Sequence, residues 1–106
     1  MTLTYQSTAL SLPEVQALSG PKVLQFGTSW CGHCQAAAPL ADAALAGLPA
    51  GSRILVEDGP GRALGRAFRV KLWPTLVFIK DGQEVARVVR PTDVAAIEQA
   101  RALLGA

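Results

Sequence analysis

The sequence predicts an α/β fold, a three-layer α/β/α sandwich with a central mixed sheet of four to five strands. Over residues 23–57 an apolar run of strand length is followed by a helix-period segment and then by a second β-branched run, which is the pattern of a parallel β-α-β unit. Later, two strand-like runs flank Asp81-Gly82, a two-residue hairpin turn. The 106 residues, 50% of them hydrophobic, suffice for a single domain, residues 1–106, with its own core.

The chain should begin with a short helix and a central strand. Ser11 and Glu14 have the spacing of a capping box, which predicts a helix over residues 12–18. After a turn, the apolar run at residues 23–26 predicts a buried central strand. A further edge strand is expected at residues 3–5.

A longer helix should connect this strand to its parallel partner. From Cys34 onward, small and apolar residues recur at spacings of three and four, which predicts an amphipathic helix that ends near residues 47–49 and is kinked at Pro39. Residues 53–57 predict the parallel strand, and a short helix is expected around residues 64–68.

The carboxyl-terminal third predicts a hairpin and a last helix. Residues 75–79 and 84–89 form the two strands of the hairpin, and residues 91–93 open the helix. The helix should pack through an apolar stripe of Val94, Ile97, Ala100 and Leu104.

Composition excludes several classes of function. The net charge of +2 is too small to indicate nucleic-acid binding, and no basic stretch is interleaved with aromatic residues. No apolar segment approaches the roughly 20 residues that span a bilayer, and the first residues lack the pattern of a signal peptide. We therefore expect a cytoplasmic protein without membrane contact, although an exported protein whose signal peptide had been removed has the same appearance.

The chain's only two cysteines, Cys31 and Cys34, are two residues apart and directly follow a predicted strand. If the helix begins here, Cys31 lies at its amino terminus, where unpaired N–H groups favour the thiolate. A zinc site needs four ligands, and His33 is the only other nearby ligand, so zinc is expected only as a clip shared with a second chain. A purely structural disulfide is also disfavoured, because closing so short a loop removes little entropy from the unfolded chain. The spacing therefore indicates a redox-active dithiol, with no metal or cofactor.

Three motifs make the whole chain resemble a thioredoxin-fold protein: Trp30-Cys31-Gly32-His33-Cys34, Trp73-Pro74-Thr75 and the Asp81-Gly82 hairpin. The resemblance implies that Cys31 is the nucleophile, that Cys34 resolves the mixed disulfide, and that the two form a Cys31–Cys34 disulfide. It also implies that Pro74 is cis and faces the dithiol, with its neighbouring backbone pairing with an extended substrate. The implied substrate-binding residues are Trp30, Gly32, Trp73, Pro74 and Thr75, although both tryptophans could instead be core anchors.

Two of the positions that depart from the usual thioredoxin pattern are expected to lie near the sulfurs. His33 stands where thioredoxins typically have proline, as in the Cys-Gly-His-Cys sites of disulfide isomerases, and could tune the Cys31 thiolate. The alternative is a loop histidine with little electronic effect. Gln25 stands where the family commonly has a buried acid near the resolving cysteine, so the proton acceptor is open, with Glu57, Asp58 or water held by Gln25 as the candidates. Gln25 could equally be a tolerated polar group in a strand.

These features lead to a predicted function with two alternatives. We expect a thiol-disulfide oxidoreductase that acts on disulfide-containing proteins, is recharged by a reductant protein such as a thioredoxin reductase, and works as a monomer. An isomerase or oxidant is the alternative if the protein is exported. A redox-switched binding module that keeps the fold is the alternative from another class.

Overall fold

In the computed structural model, which describes residues 4–7 and 10–105, four strands form one mixed sheet with the predicted α/β architecture. In chain order the elements are α1 (Leu12–Gln16), β1 (Pro21–Gly27), α2 (Gly32–Ala44), β2 (Arg53–Glu57), α3 (Ala63–Ala67), β3 (Thr75–Lys80), β4 (Gln83–Val89) and α4 (Val94–Ala102). The strand order is β2-β1-β3-β4, with β1 parallel to β2, and with both β1–β3 and β3–β4 antiparallel.

Helices cover both faces of the sheet because side chains alternate across β1 and β3. On one face, Val23 of β1 packs with α2 and α4; on the other, Leu24 and Phe26 pack with α1 and α3. The first cluster contains Val23, Ala41, Ala44, Leu45, Leu76, Phe78, Ile97, Ala100 and Leu104. The second contains Val15, Leu24, Phe26, Val56, Leu64, Val77 and Ile79.

The start of α1 confirms the predicted capping box. The Ser11 hydroxyl accepts from the Glu14 N–H at 3.3 Å, and the Glu14 carboxylate accepts from the Ser11 N–H at 3.0 Å. The helix ends at Gln16, two residues before the predicted end, because the chain turns at Gly20 with a φ of 76°.

The end of α2 differs from the prediction. The helix stops at Ala44 rather than near residues 47–49. Arg101 of α4 donates to the carbonyl oxygens of Ala44 and Ala46 at 2.9 and 2.6 Å, and Gly47 follows with a φ of 83°. These contacts satisfy the last helical carbonyls from outside, so the chain can leave the helix here. Pro39 lies within α2, and its kink stays a prediction.

The expected edge strand at residues 3–5 is wrong for the residues that the structure describes. Thr4 and Tyr5 are not in a strand, and Leu3 lies outside the described residues. Instead, Gln6 forms a single parallel bridge with Val56 of β2. The bridge holds this segment beside the sheet without extending the sheet by a strand.

Strand pairing brings distant parts of the chain to one end of the sheet. Phe26, near the end of β1, pairs with Thr75 at the start of β3, so Pro74 lies beside the loop that carries the cysteines. Thr75 also pairs with Val89 at the end of β4, which brings Arg90 to the same place. Any site built at this end therefore combines three separate loops.

Candidate active site

The two cysteines lie at the start of α2, and their backbone geometry places one sulfur against the helix end. Cys31 is the N-cap residue, and its Sγ accepts from the backbone N–H of Cys34 at 3.3 Å. This contact and the helix amino terminus stabilise negative charge on the Cys31 sulfur. The structure holds both cysteines as thiols, with Cys31 9% exposed and Cys34 3% exposed. The sulfur of Cys31 is thus the one nearer the surface.

Burial distinguishes Cys34 chemically. It raises the pKa of Cys34 to about 11, and a hydrogen bond with Cys31 acts in the same direction. The Thr28 backbone and the Tyr5 hydroxyl hydrogen-bond to the Cys34 sulfur and oppose this shift of its pKa. With a pKa of about 11, only about one Cys34 in 10⁴ is ionised at pH 7. Cys34 is therefore poorly suited to make the first attack, which leaves that role to Cys31.

The raised pKa of Cys34 predicts a pH-dependent stability. The unfolded thiol ionises near its ordinary value of 9.0, whereas the folded thiol holds its proton until about 11. The unfolded state thus binds fewer protons across this range, so the free energy of unfolding of the reduced protein should fall as pH rises from 9 to 11. Urea unfolding at pH 8 and pH 10.5 measures this, with Cys34→Ser as the control that should lose less stability. Equal losses in the two proteins would contradict the assignment.

Gln25, on the same face of β1 as Val23, is 1% exposed and is held by two side chains. Its Nε2 donates to the Tyr5 hydroxyl at 3.0 Å, and its Oε1 accepts from Arg53 at 3.0 Å. Arg53 in turn donates to Asp42 at 2.6 Å. The predicted site residue Gln25 therefore lies in a chain of polar groups that reaches Cys34 through Tyr5.

The two carboxylates proposed as substitutes for the usual acid have other partners. Glu57 accepts from Arg62 at 2.6 Å, and Asp58 accepts from the indole N–H of Trp73 at 2.9 Å. Neither is among the groups that shift the pKa of Cys34. Tyr5 is the side chain that hydrogen-bonds to the resolving sulfur, and a carboxylate as the proton acceptor stays a prediction.

An apolar rim borders the dithiol. Trp30 is 73% exposed, and its ring meets the ring of Trp73 edge-on, with centroids 5.7 Å apart. Leu72, the residue before Trp73, is 47% exposed. The hydrogen bond from Trp73 to Asp58 fixes the orientation of the second ring. Trp30 is a surface residue here rather than a core anchor.

The Trp73–Pro74 peptide bond is cis, as the resemblance implies. Arg90 contacts both residues: its backbone N–H donates to the Pro74 carbonyl at 2.9 Å, and its Nε donates to the Trp73 carbonyl at 2.8 Å. The Thr75 side chain is buried and donates to the Leu72 carbonyl at 2.6 Å. The Thr75 side chain is therefore engaged within the fold, and a role of Thr75 in substrate binding stays a prediction.

His33 and Gly32 are exposed in the first turn of α2. His33 lines a cavity of about 350 Å³ between α2 and the loop after β4, where Arg90 and Pro91 also lie. Nothing lies within 4 Å of the position that a Cβ on Gly32 takes. Thiolate tuning by His33 and substrate contact by Gly32 stay predictions.

Sequence reasoning missed three residues around Cys34: Tyr5, Gly27 and Arg53. A Cβ on Gly27 would lie 2.5 Å from Cys34 Sγ and 2.9 Å from the Tyr5 hydroxyl, so this strand end must lack a side chain. A glycine inside a strand pattern is a signal for such close approach. Tyr5 and Arg53 carried no comparable signal.

Metal and membrane functions find no further support in the described part of the chain. Within residues 4–7 and 10–105 no three His, Cys, Asp or Glu side chains are grouped so that they could hold a metal ion. Over the same residues no helix has the length and apolar character needed to cross a membrane.

Comparisons with known proteins show which family this chain resembles. The family model named Thioredoxin matches residues 8–102. Thioredoxin 2 from Pseudomonas aeruginosa PAO1, solved in its reduced form, has a TM-score of 0.87 at 51% sequence identity, over 99% of this chain and 98% of that one. Thioredoxin of Chlamydia trachomatis is 34% identical over 71 residues, which cover 67% of this chain and 70% of that protein.

A second kind of relative is much longer. Protein disulfide-isomerase A2 of Homo sapiens is 38% identical over 86 residues, which cover 77% of this chain. The matched part spans only 16% of the length of that protein. The family model covers residues 8–102, and the Pseudomonas structure aligns over nearly the whole of both chains. The chain therefore belongs to the thioredoxin family.

Proposed function

We propose that the chain is a thiol-disulfide oxidoreductase that exchanges disulfides with protein substrates through Cys31 and Cys34. The observation that carries the proposal is the dithiol itself, in which the Cys31 sulfur accepts from the start of α2 and the Cys34 sulfur is buried beside it. Membership of the thioredoxin family and the apolar rim beside the dithiol support the same function.

The first step is attack by the Cys31 thiolate on a substrate disulfide. One sulfur of the substrate forms a bond with Cys31 Sγ, and the other leaves as a thiolate that takes a proton from water. The product is a mixed disulfide between Cys31 and the substrate. The helix amino terminus stabilises the charge on Cys31 before the attack.

The second step is resolution by Cys34. Its S–H bond releases a proton, and the thiolate attacks Cys31 Sγ, forming the Cys31–Cys34 disulfide and releasing the second substrate thiolate. Two electrons have passed from the dithiol to the substrate. A reductant protein of the thioredoxin reductase kind then returns the pair to the dithiol form.

The exposed rim indicates the kind of substrate. Trp30, directly before Cys31, and the Trp73 ring that it meets offer an apolar surface, which favours protein disulfides flanked by apolar side chains over small charged disulfides. We propose that the protein acts in the cytoplasm. We also propose that it acts as a monomer, because successive partner proteins must reach the same face.

The reduction potential of the Cys31–Cys34 pair tests the direction of the reaction. Equilibration with glutathione buffers, followed through the fluorescence of Trp30 beside the dithiol, measures it. A value near or below about −250 mV is expected for a cytoplasmic reductase. A value near about −180 mV or higher would replace this function with that of an isomerase or oxidant, and would point to charge stabilisation by His33. The absence of any redox transition would contradict oxidoreductase activity.

A further inference from the structure

We propose that the Tyr5 hydroxyl is a catalytic hydrogen-bond donor to the Cys34 sulfur, held in this role by a one-directional chain of donors that begins at Arg53. The inference rests on the proposed disulfide exchange, in which Cys34 must become a thiolate. It assigns to a phenol, at a site without the usual buried acid, the task of stabilising that thiolate.

The direction of the chain follows from which groups can donate. A guanidinium has donors only, so the Gln25 oxygen must face Arg53, and the two atoms are 3.0 Å apart. The Gln25 amide nitrogen must then face Tyr5, whose oxygen accepts from it at 3.0 Å. This leaves the hydroxyl hydrogen of Tyr5 free to point at Cys34, to which it hydrogen-bonds. Asp42, bound to Arg53 at 2.6 Å, orients the guanidinium at the far end.

Gly27 provides the room for this contact. The Cβ of any other residue there would come within 3 Å of both the Cys34 sulfur and the Tyr5 hydroxyl. The Cys34 sulfur and the Tyr5 hydroxyl oxygen therefore both lie beside Gly27, at the end of β1, where no side chain separates them. Donors linked in one direction polarise one another, which strengthens the last hydrogen bond in the chain.

The charge state of Tyr5 fits a donor and not a base. Burial raises the pKa of Tyr5 above its ordinary value, and the proximity of Cys34 and Cys31 raises it further, against an opposing effect of Gln25. The phenol thus keeps its proton over the working pH range. Its hydrogen bond in turn lowers the pKa of Cys34, partly offsetting the effect of burial.

The proton of Cys34 leaves by another route. A cavity of about 250 Å³ lies beside Cys34 and is lined by Tyr5, Thr28 and Arg53. Thr28 Oγ1 and Arg53 Nε are buried there without a hydrogen-bond partner among the described residues. With these two unpaired polar atoms in its wall, a cavity of this size can hold water, which accepts the proton while the electron pair stays on the sulfur. Tyr5 then stabilises the thiolate until it attacks Cys31 Sγ.

Tyr5→Phe tests the role because it keeps the ring and removes only the hydroxyl. We expect the variant to raise the pKa of Cys34 by about one unit, which lowers the thiolate fraction and the rate of resolution about tenfold near neutral pH. NMR titration of the Cys34 Cβ resonance, in a Cys31→Ser background, measures the pKa without relying on activity. Single-turnover release of substrate from a preformed mixed disulfide measures resolution.

Two controls separate this role from a merely structural one. Tyr5→Phe in a Cys34→Ser background should leave the rate of the first attack by Cys31 unchanged. Arg53→Met should shift the pKa of Cys34 in the same direction, and the double variant should add less than the sum of the two changes. Additive effects would show that Arg53 does not act through Tyr5.

The outcomes for the two proposals are distinct. If the wild-type protein reduces disulfides but Tyr5→Phe changes neither the Cys34 titration nor the resolution rate, the role of Tyr5 is overturned. A slowed first attack would overturn it as well, because the change would then be structural. If the wild-type protein reduces no disulfide, the proposed function is overturned, and with it the catalytic role of Tyr5.

Discussion

Replacing Cys31 by serine is expected to abolish disulfide reduction, with a loss on the order of 10³-fold or more, as for other nucleophile removals. A hydroxyl has far too high a pKa to act as the nucleophile at neutral pH. Cys34 cannot take over, because its side chain is only 3% exposed and burial, the largest cause of its raised pKa, is independent of Cys31. Reduction of a protein disulfide, followed by the appearance of free thiols, measures the loss.

Cys34→Ser is the matched variant, with a different expected result. It keeps the attacking sulfur and lacks the resolving one, so it should accumulate a mixed disulfide with the substrate. Mass spectrometry of the unreduced product detects this adduct, which Cys31→Ser should not form. An adduct on Cys31→Ser alone would reverse the two roles. A binding module would instead keep its partner in both variants and show no adduct.

Gly27→Ala adds a single methyl group and is expected to lower the free energy of unfolding substantially. The added methyl group would lie 2.5 Å from the Cys34 sulfur and 3.0 Å from the Tyr5 ring, closer than such atoms can approach. Either Tyr5 or the start of α2 must move, at a cost of about 1–3 kcal/mol in the free energy of unfolding. Urea unfolding of the reduced protein measures this cost.

Gly32→Ala is the matched control for stability. Its Cβ meets nothing within 4 Å, and alanine favours a helix more than glycine does, so the variant should be as stable as the wild type or slightly more stable. Equal stability of Gly27→Ala and Gly32→Ala would show that the packing between Tyr5 and Cys34 is loose. It would also weaken the case for a hydrogen bond there.

Most of the fold followed from local patterns in the sequence. The order of helices and strands, the capping box at Ser11 and the β-α-β unit were all predictable, because periodicity and capping act over a few residues. The predictions were wrong where contacts between residues far apart in the sequence determine the local structure. Arg101 terminates α2 from a position 57 residues beyond Ala44, and Gln6 bridges to Val56 of the edge strand β2, far along the chain.

The candidate site divides in the same way. Cys31, Cys34 and Pro74 could be picked out from sequence motifs, because the spacing of the residues in each motif indicates its chemistry. The residues around Cys34 could not be picked out in this way, because Tyr5 lies 20 residues before Gln25 and Arg53 lies 28 residues after it. Only strand pairing brings them together, and the parallel register of β1 with β2 cannot be read from either strand alone. The sequence showed that Gln25 stands where the family commonly has an acid, but it did not show which side chains hydrogen-bond to Gln25.

The contact between Arg101 and the end of α2 also bears on how α2 responds to the change of charge at Cys31. With each turnover the charge at the amino end of α2 appears and disappears with the Cys31 thiolate. At the opposite end a permanent cation binds the carbonyls of Ala44 and Ala46. Because this anchor does not titrate and lies on α4, we expect the far half of α2 to keep its structure when the dithiol is oxidised. Structural differences between the two redox states should therefore be confined to the first turn of α2 and to the loops that face it.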